Sequence, residues 1–178
     1  TLRPGLEEIM FEQRIRGAHG KHCEMVTFDC HTIMAQFHGR NLIMVTESDR
    51  CTEMAQLLQK VGVKPEWEVL SLAHIVQDTT RLIEAGFDKP PYYINMVLGA
   101  VGFQGGYPFS PKILQLMVDH LPKNSIFNVS AIGPAQLPAT TCPILMGGHL
   151  RVGLEDNNYY SRGQLATNQQ LVARAVRI

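Results

Sequence analysis

The sequence predicts an α/β fold, a parallel sheet covered by helices. Three observations predict it. Short apolar runs of strand length alternate with longer segments whose apolar residues recur at helical spacing. Capping residues or glycines bound several of the helical segments. The connections are short, and a regular strand–helix–strand order is what parallel pairing requires.

Residues 25–29 (MVTFD) are an apolar run closing on a polar residue. Residues 48–61 read as a helix: Met54, Leu57, Leu58 and Val61 share one face, and Gly62 follows as a stop. Residues 65–70 alternate in polarity and read as a strand, and 74–85 as a second helix ending at Gly86. A third strand covers 92–99. Ser110 is placed to cap the next helix, with Pro111 at its first position and Ile113, Leu114 and Met117 on its apolar face. Residues 125–132 are a fourth strand. Residues 137–146 read as a helix against the signal of Pro143. Residues 150–154 are a fifth strand, and 164–178 an amphipathic helix with Leu171, Val172, Ala175 and Val176 inward. No repeat, low-complexity tract or linker interrupts this order, so residues 1–178 read as a single domain.

Composition narrows the function classes. A 45% hydrophobic and 18% charged chain can build a sizeable core. Lys+Arg and Asp+Glu are both 16, so no net charge draws the chain toward nucleic acid or an anionic membrane. No apolar run approaches the ~20 residues that span a bilayer, and no basic-then-apolar signal segment opens the sequence. The four cysteines form no CxxC pair, which points to a reducing, cytoplasmic setting. The ends at Thr1 and Ile178 read as cut.

Two architectures fit the alternation, an open doubly wound sheet and an eight-stranded TIM-type barrel, and both place function at the C-terminal ends of the strands. Those ends carry Thr27 and Asp29, Glu68, Asn95, Asn128 and Ser130, and finally Arg151, Glu155 and Asp156. An open sheet gathers its ligands at one switch point, often with a glycine-rich phosphate loop. This sequence has no GxGxxG and no GxxxxGK[ST], and its polar ends are spread over five strands, which favours the barrel.

The densest knot of charge is GGHLRVGLEDN at 147–157. If the fifth strand runs through 154, Arg151 and Glu155 share a face and pair. Asp156 either caps the following turn or partners Arg151. Glu66 and Glu68 share a face around Trp67, and a glutamate pointing into a barrel needs a partner; on an edge strand it would face water. His149 lies at the N-terminal end of its strand, away from the rim, and reads as structural. Met10, Met25, Met34 and Met96 read as core.

Several segments carry a more specific signal: 63–69 (VKPEWEV), 95–99 (NMVLG), 131–133 (AIG), 147–157, 159–163 (YYSRG) and 166–175 (ATNQQLVARA). In this order they resemble the β-keto acid cleavage enzyme family, of the 3-keto-5-aminohexanoate cleavage type. The resemblance implies a zinc-dependent (β/α)8 TIM barrel that condenses a β-keto acid with acetyl-CoA and splits the adduct into acetoacetate and a new acyl-CoA. The five strands would be barrel strands four to eight, a partial barrel, since a whole one takes about 250 residues.

The resemblance also implies roles. Glu155 would be a zinc ligand, beside an HxH pair of another strand. The sequence has seven histidines but no HxH. A catalytic zinc needs three protein ligands, so the two histidines are expected outside this chain, and the isolated chain is expected to be inactive. Asp156 would be the general base, Arg151 its partner, and Glu68 a further functional carboxylate. Thr27 and Asp29 would contact substrate. Asp29 replaces an Asn of the family, and its charge would repel a β-keto carboxylate or select a cationic group. Residues 101–106 would form an active-site loop, and Pro134 stands where the family commonly has Arg. A homotetramer is implied when the barrel is whole. The competing readings are another metal-dependent TIM-barrel aldolase or hydrolase, which would consume no acetyl-CoA, and an inactive truncated product.

Overall fold

The structure, a computed structural model, describes residues 16, 18, 20, 22–37 and 39–178. Met10 lies outside the described residues.

The main sheet has five strands: β1 (Met25–Asp29), β4 (Lys64–Val69), β5 (Tyr92–Leu98), β6 (Ser125–Ala131) and β7 (His149–Leu150). They pair in that order and every pairing is parallel. This order decides between the two architectures. A doubly wound sheet reverses its strand order once and so carries helices on both faces. Here each unit adds beside the previous one, and right-handed crossovers then collect the helices on one face, which is the winding of a barrel.

The helices are α1 (Ser48–Val61), a π-helical turn (His74–Thr79) running into α2 (Thr80–Glu84), α3 (Pro111–Asp119), α4 (Gln136–Leu145) and α5 (Asn168–Arg177). Alternate strand residues Phe28, Trp67, Ile94, Met96 and Val129 meet Met54, Leu58, Leu82, Leu114 and Met117 in one buried cluster. Phe28 and Trp67 stack across neighbouring strands with ring centroids 5.1 Å apart. The intervening residues, Glu66, Glu68, Asn95, Asn128 and Ser130 among them, face the other side. Period-two alternation therefore divides the sheet into a greasy outer face and a polar inner one.

Local signals explain the boundaries. Ser110 Oγ accepts from the Ile113 N–H at 3.2 Å with Pro111 behind it, as its position predicts. Gly62 adopts φ 73°, a left-handed stop that favours glycine. Pro143 lies in the last turn of α4, where it removes one i→i−4 bond and the helix ends two residues later.

The structure departs from the sequence reading at four places. Residues 33–44 form an antiparallel hairpin, β2 (Ile33–Phe37) and β3 (Arg40–Met44), between β1 and α1. The segment 74–85 opens with a π turn rather than an α-helix. The last sheet strand stops at Leu150, so 151–153 are irregular and a turn follows at 154–156. A second hairpin, β8 (Tyr159–Ser161) and β9 (Gln164–Leu165), delays α5 to Asn168. There Thr167 and Gln170 form a capping box, a T-x-x-Q signal present in the sequence but not used in the reading.

Candidate active site

Parallel register places Asp29, Glu68, Asn95 and Asn128 in one row across β1, β4, β5 and β6, all on the inner face. The row is wired from one side. Ser130 Oγ donates to Asn95 Oδ1 at 3.1 Å, which turns the Asn95 amide so that Nδ2 donates to Glu68 Oε2 at 2.9 Å.

Arg151 closes the row from the last strand. Its N–H donates to Val129 O at 2.9 Å, carrying the ladder one residue past β7 and aiming the side chain along the inner face. Nη1 donates to Glu68 Oε2 at 3.2 Å and Nη2 to Asp156 Oδ1 at 3.0 Å. The planar guanidinium suits this task because its donors diverge in a fixed fork. Asp156 is held by its backbone as well: its carbonyl accepts from Gly133 N–H at 2.7 Å, which ties the turn after β7 to the turn after β6.

Burial and mutual charge shift all three groups of this knot. Burial, and next the Asp29 carboxylate on the adjoining strand, push Glu68 up to about 7, although Arg151 and Asn95 pull it down. Burial also raises Asp156, against the pull of Arg151. For Arg151 burial opposes the charge, but Asp156 and Glu68 outweigh it and hold the proton above the usual arginine range. An acid poised near neutrality beside a fixed cation and a second acid is a combination suited to moving protons.

A family model described as beta-keto acid cleavage enzyme matches residues 3–178. The chain belongs to the β-keto acid cleavage enzyme family. It is 34% identical over 92% of its length to the 3-dehydrocarnitine:acetyl-CoA trimethylamine transferase of Rhizobium meliloti, of which it covers 53%. It is 35% identical over 87% of its length to the 3-keto-5-aminohexanoate cleavage enzyme of Acetoanaerobium sticklandii, of which it covers 55%. The chain thus spans about half the length of the curated relatives it matches. The apo structure of ObcA is similar over 86% of this chain and 40% of its own, with a TM-score of 0.69 and 17% identity. That likeness concerns the fold, which is α/β of the (β/α)8 TIM-barrel type, present here as a partial barrel.

The residues expected to act in this β-keto acid cleavage enzyme family member fall in unequal places. Arg151, Asp156 and Glu68 meet directly, and Asp29 lies in the same row. Thr27 lies one row nearer the N-terminal ends, where its Oγ1 donates to Glu66 Oε2 at 3.0 Å. Glu155 is exposed and does not partner Arg151. The same-face argument for that pair does not apply, because the strand ends at Leu150. The loop at 101–106 is pinned to the first hairpin: Gln36 N–H donates to Gly102 O at 3.0 Å and Gln104 N–H to Met34 O at 2.7 Å. His149 is exposed at the start of the site-bearing segment.

Among the described residues, no group of three or more His, Cys, Asp or Glu is placed to hold a metal ion. Glu155 is one donor, so the described residues do not by themselves fit a catalytic zinc.

Two further features escaped the sequence reading. Buried His31, just past β1, stacks on His74 at the start of the π turn, with centroids 3.6 Å apart and planes 15° apart. Burial pulls His74 down to about 4, so its ring is neutral at pH 7, and Nδ1 accepts the Leu70 N–H at 3.2 Å. Beside it Cys30 faces Thr79, and burial pushes its thiol up to about 12, which leaves it inert as a nucleophile. Neither contact has a sequence signature, because each joins residues more than 40 positions apart (|i−j| is 49 for Cys30 and Thr79). The second feature is a cleft of about 970 Å³ bordered by Asp156 and Asn157, the turn after β6 and the β8–β9 hairpin.

Proposed function

We propose that the protein exchanges carbon–carbon bonds between a β-keto acid and acetyl-CoA. The observation that carries this reading is Arg151 held between Asp156 and Glu68 at the strand ends, in a chain of the β-keto acid cleavage family. The names of its relatives point the same way, since one is an acetyl-CoA transferase and another a keto-acid cleavage enzyme.

In this mechanism Asp156, steered by Arg151, takes a proton from the carbon between the keto group and the carboxylate. The pair of electrons left on that carbon attacks the thioester carbonyl of acetyl-CoA and expels the CoA thiolate. The thiolate then attacks the original keto carbon and the bond to the central carbon breaks. The proton held by Asp156 returns to that carbon. Acetoacetate and a new acyl-CoA leave, with atoms and charge balanced. Glu68 holds Arg151 in register and tunes its field, while Asp29 and Thr27 bound the substrate on the β1 side. Zinc belongs to this reading as the ion that Glu155 would help to hold together with histidines from outside this chain, and it would polarise the keto oxygen. The whole barrel is proposed to work as a homo-oligomer in the cytoplasm.

Incubating the full-length, whole-barrel protein with a panel of β-keto acids and acetyl-CoA, with added zinc and with a chelator, tests the reading. Acetoacetate and a new acyl-CoA are expected, with chelation lowering the rate. Asp156→Asn is expected to reduce turnover on the order of 10²–10⁴-fold, the usual weight of a positioned base. Failure to consume acetyl-CoA with any acid sinks the proposal in favour of an aldolase or hydrolase.

A further inference from the structure

The end of β1 is tied to the turn after β4 by two contacts that the Arg151 knot does not contain. His31, buried two residues past Asp29, stacks on His74 with ring centroids 3.6 Å apart and planes 15° apart. Cys30, one residue past Asp29, meets Thr79 at 3.3 Å between Sγ and Oγ1. Both partners stand on the π turn His74–Thr79. Such turns are rare and concentrate at functional sites.

His74 reaches β4 as well. Its Nδ1 accepts the Leu70 N–H at 3.2 Å, two residues past Glu68, and the Leu70 carbonyl accepts from Tyr107 N–H at 2.9 Å. One imidazole thus touches the chain just past Asp29 on one side and just past Glu68 on the other. Asp29 and Glu68 are partners in the parallel register of β1 and β4. Their separation is the quantity that this clamp fixes.

That separation has a chemical consequence. After burial, the Asp29 carboxylate is the main influence holding the proton on Glu68; Arg151 and Asn95 oppose it, and Glu66 adds to it. At an effective dielectric of about 20, moving two carboxylates about 1 Å further apart at contact range changes a titration midpoint by roughly half a unit. His74 brings no charge of its own into this window, because burial holds its ring down to about 4. The other titratable groups beside the clamp are Cys51 of α1 and Asp78 of the π turn, and both act on Cys30.

We propose that His31 and His74 are positioning residues for the reaction: their stack clamps the end of β1 to the turn after β4 and sets how closely Asp29 approaches Glu68, the acid that grips Arg151. The proposal rests on reading the Arg151 knot as the active site, and adds what tunes it.

The test follows the Glu68 carboxyl of the full-length, whole-barrel protein by 13C NMR, assigned by its loss in Glu68→Gln, alongside kcat/KM against pH. His31→Ala removes one ring of the stack. The Glu68 midpoint is expected to fall from about 7 by roughly half a unit, and the rise of kcat/KM with pH to move with it. His31→Phe keeps a flat ring and is expected to restore both. His31→Leu, which keeps bulk without a flat face, takes the place of the alanine variant if that chain does not fold. A purely structural pair would lower Tm and leave the midpoint where it was, which overturns the proposal. A midpoint that phenylalanine does not restore overturns it too, because the charge of His31 and not the stack would then be acting. The carboxyl titration needs no turnover. A protein that makes no acyl-CoA from any β-keto acid therefore overturns the reading beneath, while the NMR midpoint still decides the clamp.

Discussion

Arg151 is gripped by carboxylates that reach it from opposite directions, Glu68 across the sheet and Asp156 from five residues ahead. The arrangement keeps two buried acids from standing uncompensated, a situation that costs several kcal/mol. Glu68 carries a measurable signature of this environment. With its value at about 7 instead of the ordinary 4.5, the native state holds this proton longer than the unfolded chain does. Below about pH 4.5 both states are protonated and the group does not affect stability. From there to about pH 7 the native state binds more protons, so stability falls as pH rises, by roughly 3 kcal/mol in all. Glu68→Gln is expected to remove that decline, seen as a flatter plot of Tm against pH over this window. An unchanged slope would show that Glu68 is solvated like an ordinary carboxylate. Catalysis should follow the opposite course, because only the ionised form pairs with Arg151: kcat/KM is expected to rise with pH through about 7.

At the level of elements, the turns after the strands place the site, and glycine permits one of them. Gly99 follows β5 at φ 67°, and a Cβ there would meet Ala135 Cβ at 2.6 Å, in the turn that leads into α4. Gly99→Ala is therefore expected to destabilise the fold by about 1–3 kcal/mol, from backbone strain and overpacking together. Chemical denaturation reads this as a lowered midpoint at constant m-value; an unchanged midpoint would show that the turn can move aside. The π turn at His74–Thr79 does similar work beside β1, presenting His74 to His31 and Thr79 to Cys30. Residues 92–99 and 125–132 were legible as strands because both faces are constrained and each run is long. The two hairpins were not: β8–β9 is short and exposed, and β2–β3 is fixed by tertiary contact with the loop at 101–106.

Across the whole molecule, stability should be graded. Strands β4, β5 and β6 are paired on both sides and carry the buried cluster. The β2–β3 and β8–β9 hairpins are two-stranded and expose Met34, Leu42, Tyr159 and Leu165. Hydrogen exchange is expected to be slowest in β4–β6 and faster by orders of magnitude in both hairpins, since protection tracks local burial and pairing. Uniform protection would mean that the hairpins are locked to the sheet.

The alternation of strands and helices, the caps at Ser110 and Gly62, and the polar strand ends are properties of the sequence alone. Each follows from local periodicity or from a backbone preference within a few residues. Family membership was also legible there, because its segments are short, ordered and chemically specific. Which acid partners Arg151 was not: spacing pointed to Glu155 as readily as to Asp156, and the choice depends on the strand ending at Leu150. The coupling of Glu68 to Arg151, the stacked histidines and the cleft beside Asp156 likewise belong to the tertiary structure. Each joins groups distant in sequence, and a linear reading carries no term for the register that brings them together. The charged segment at 147–157 thus announced a site, and the sheet decided which of its residues meet.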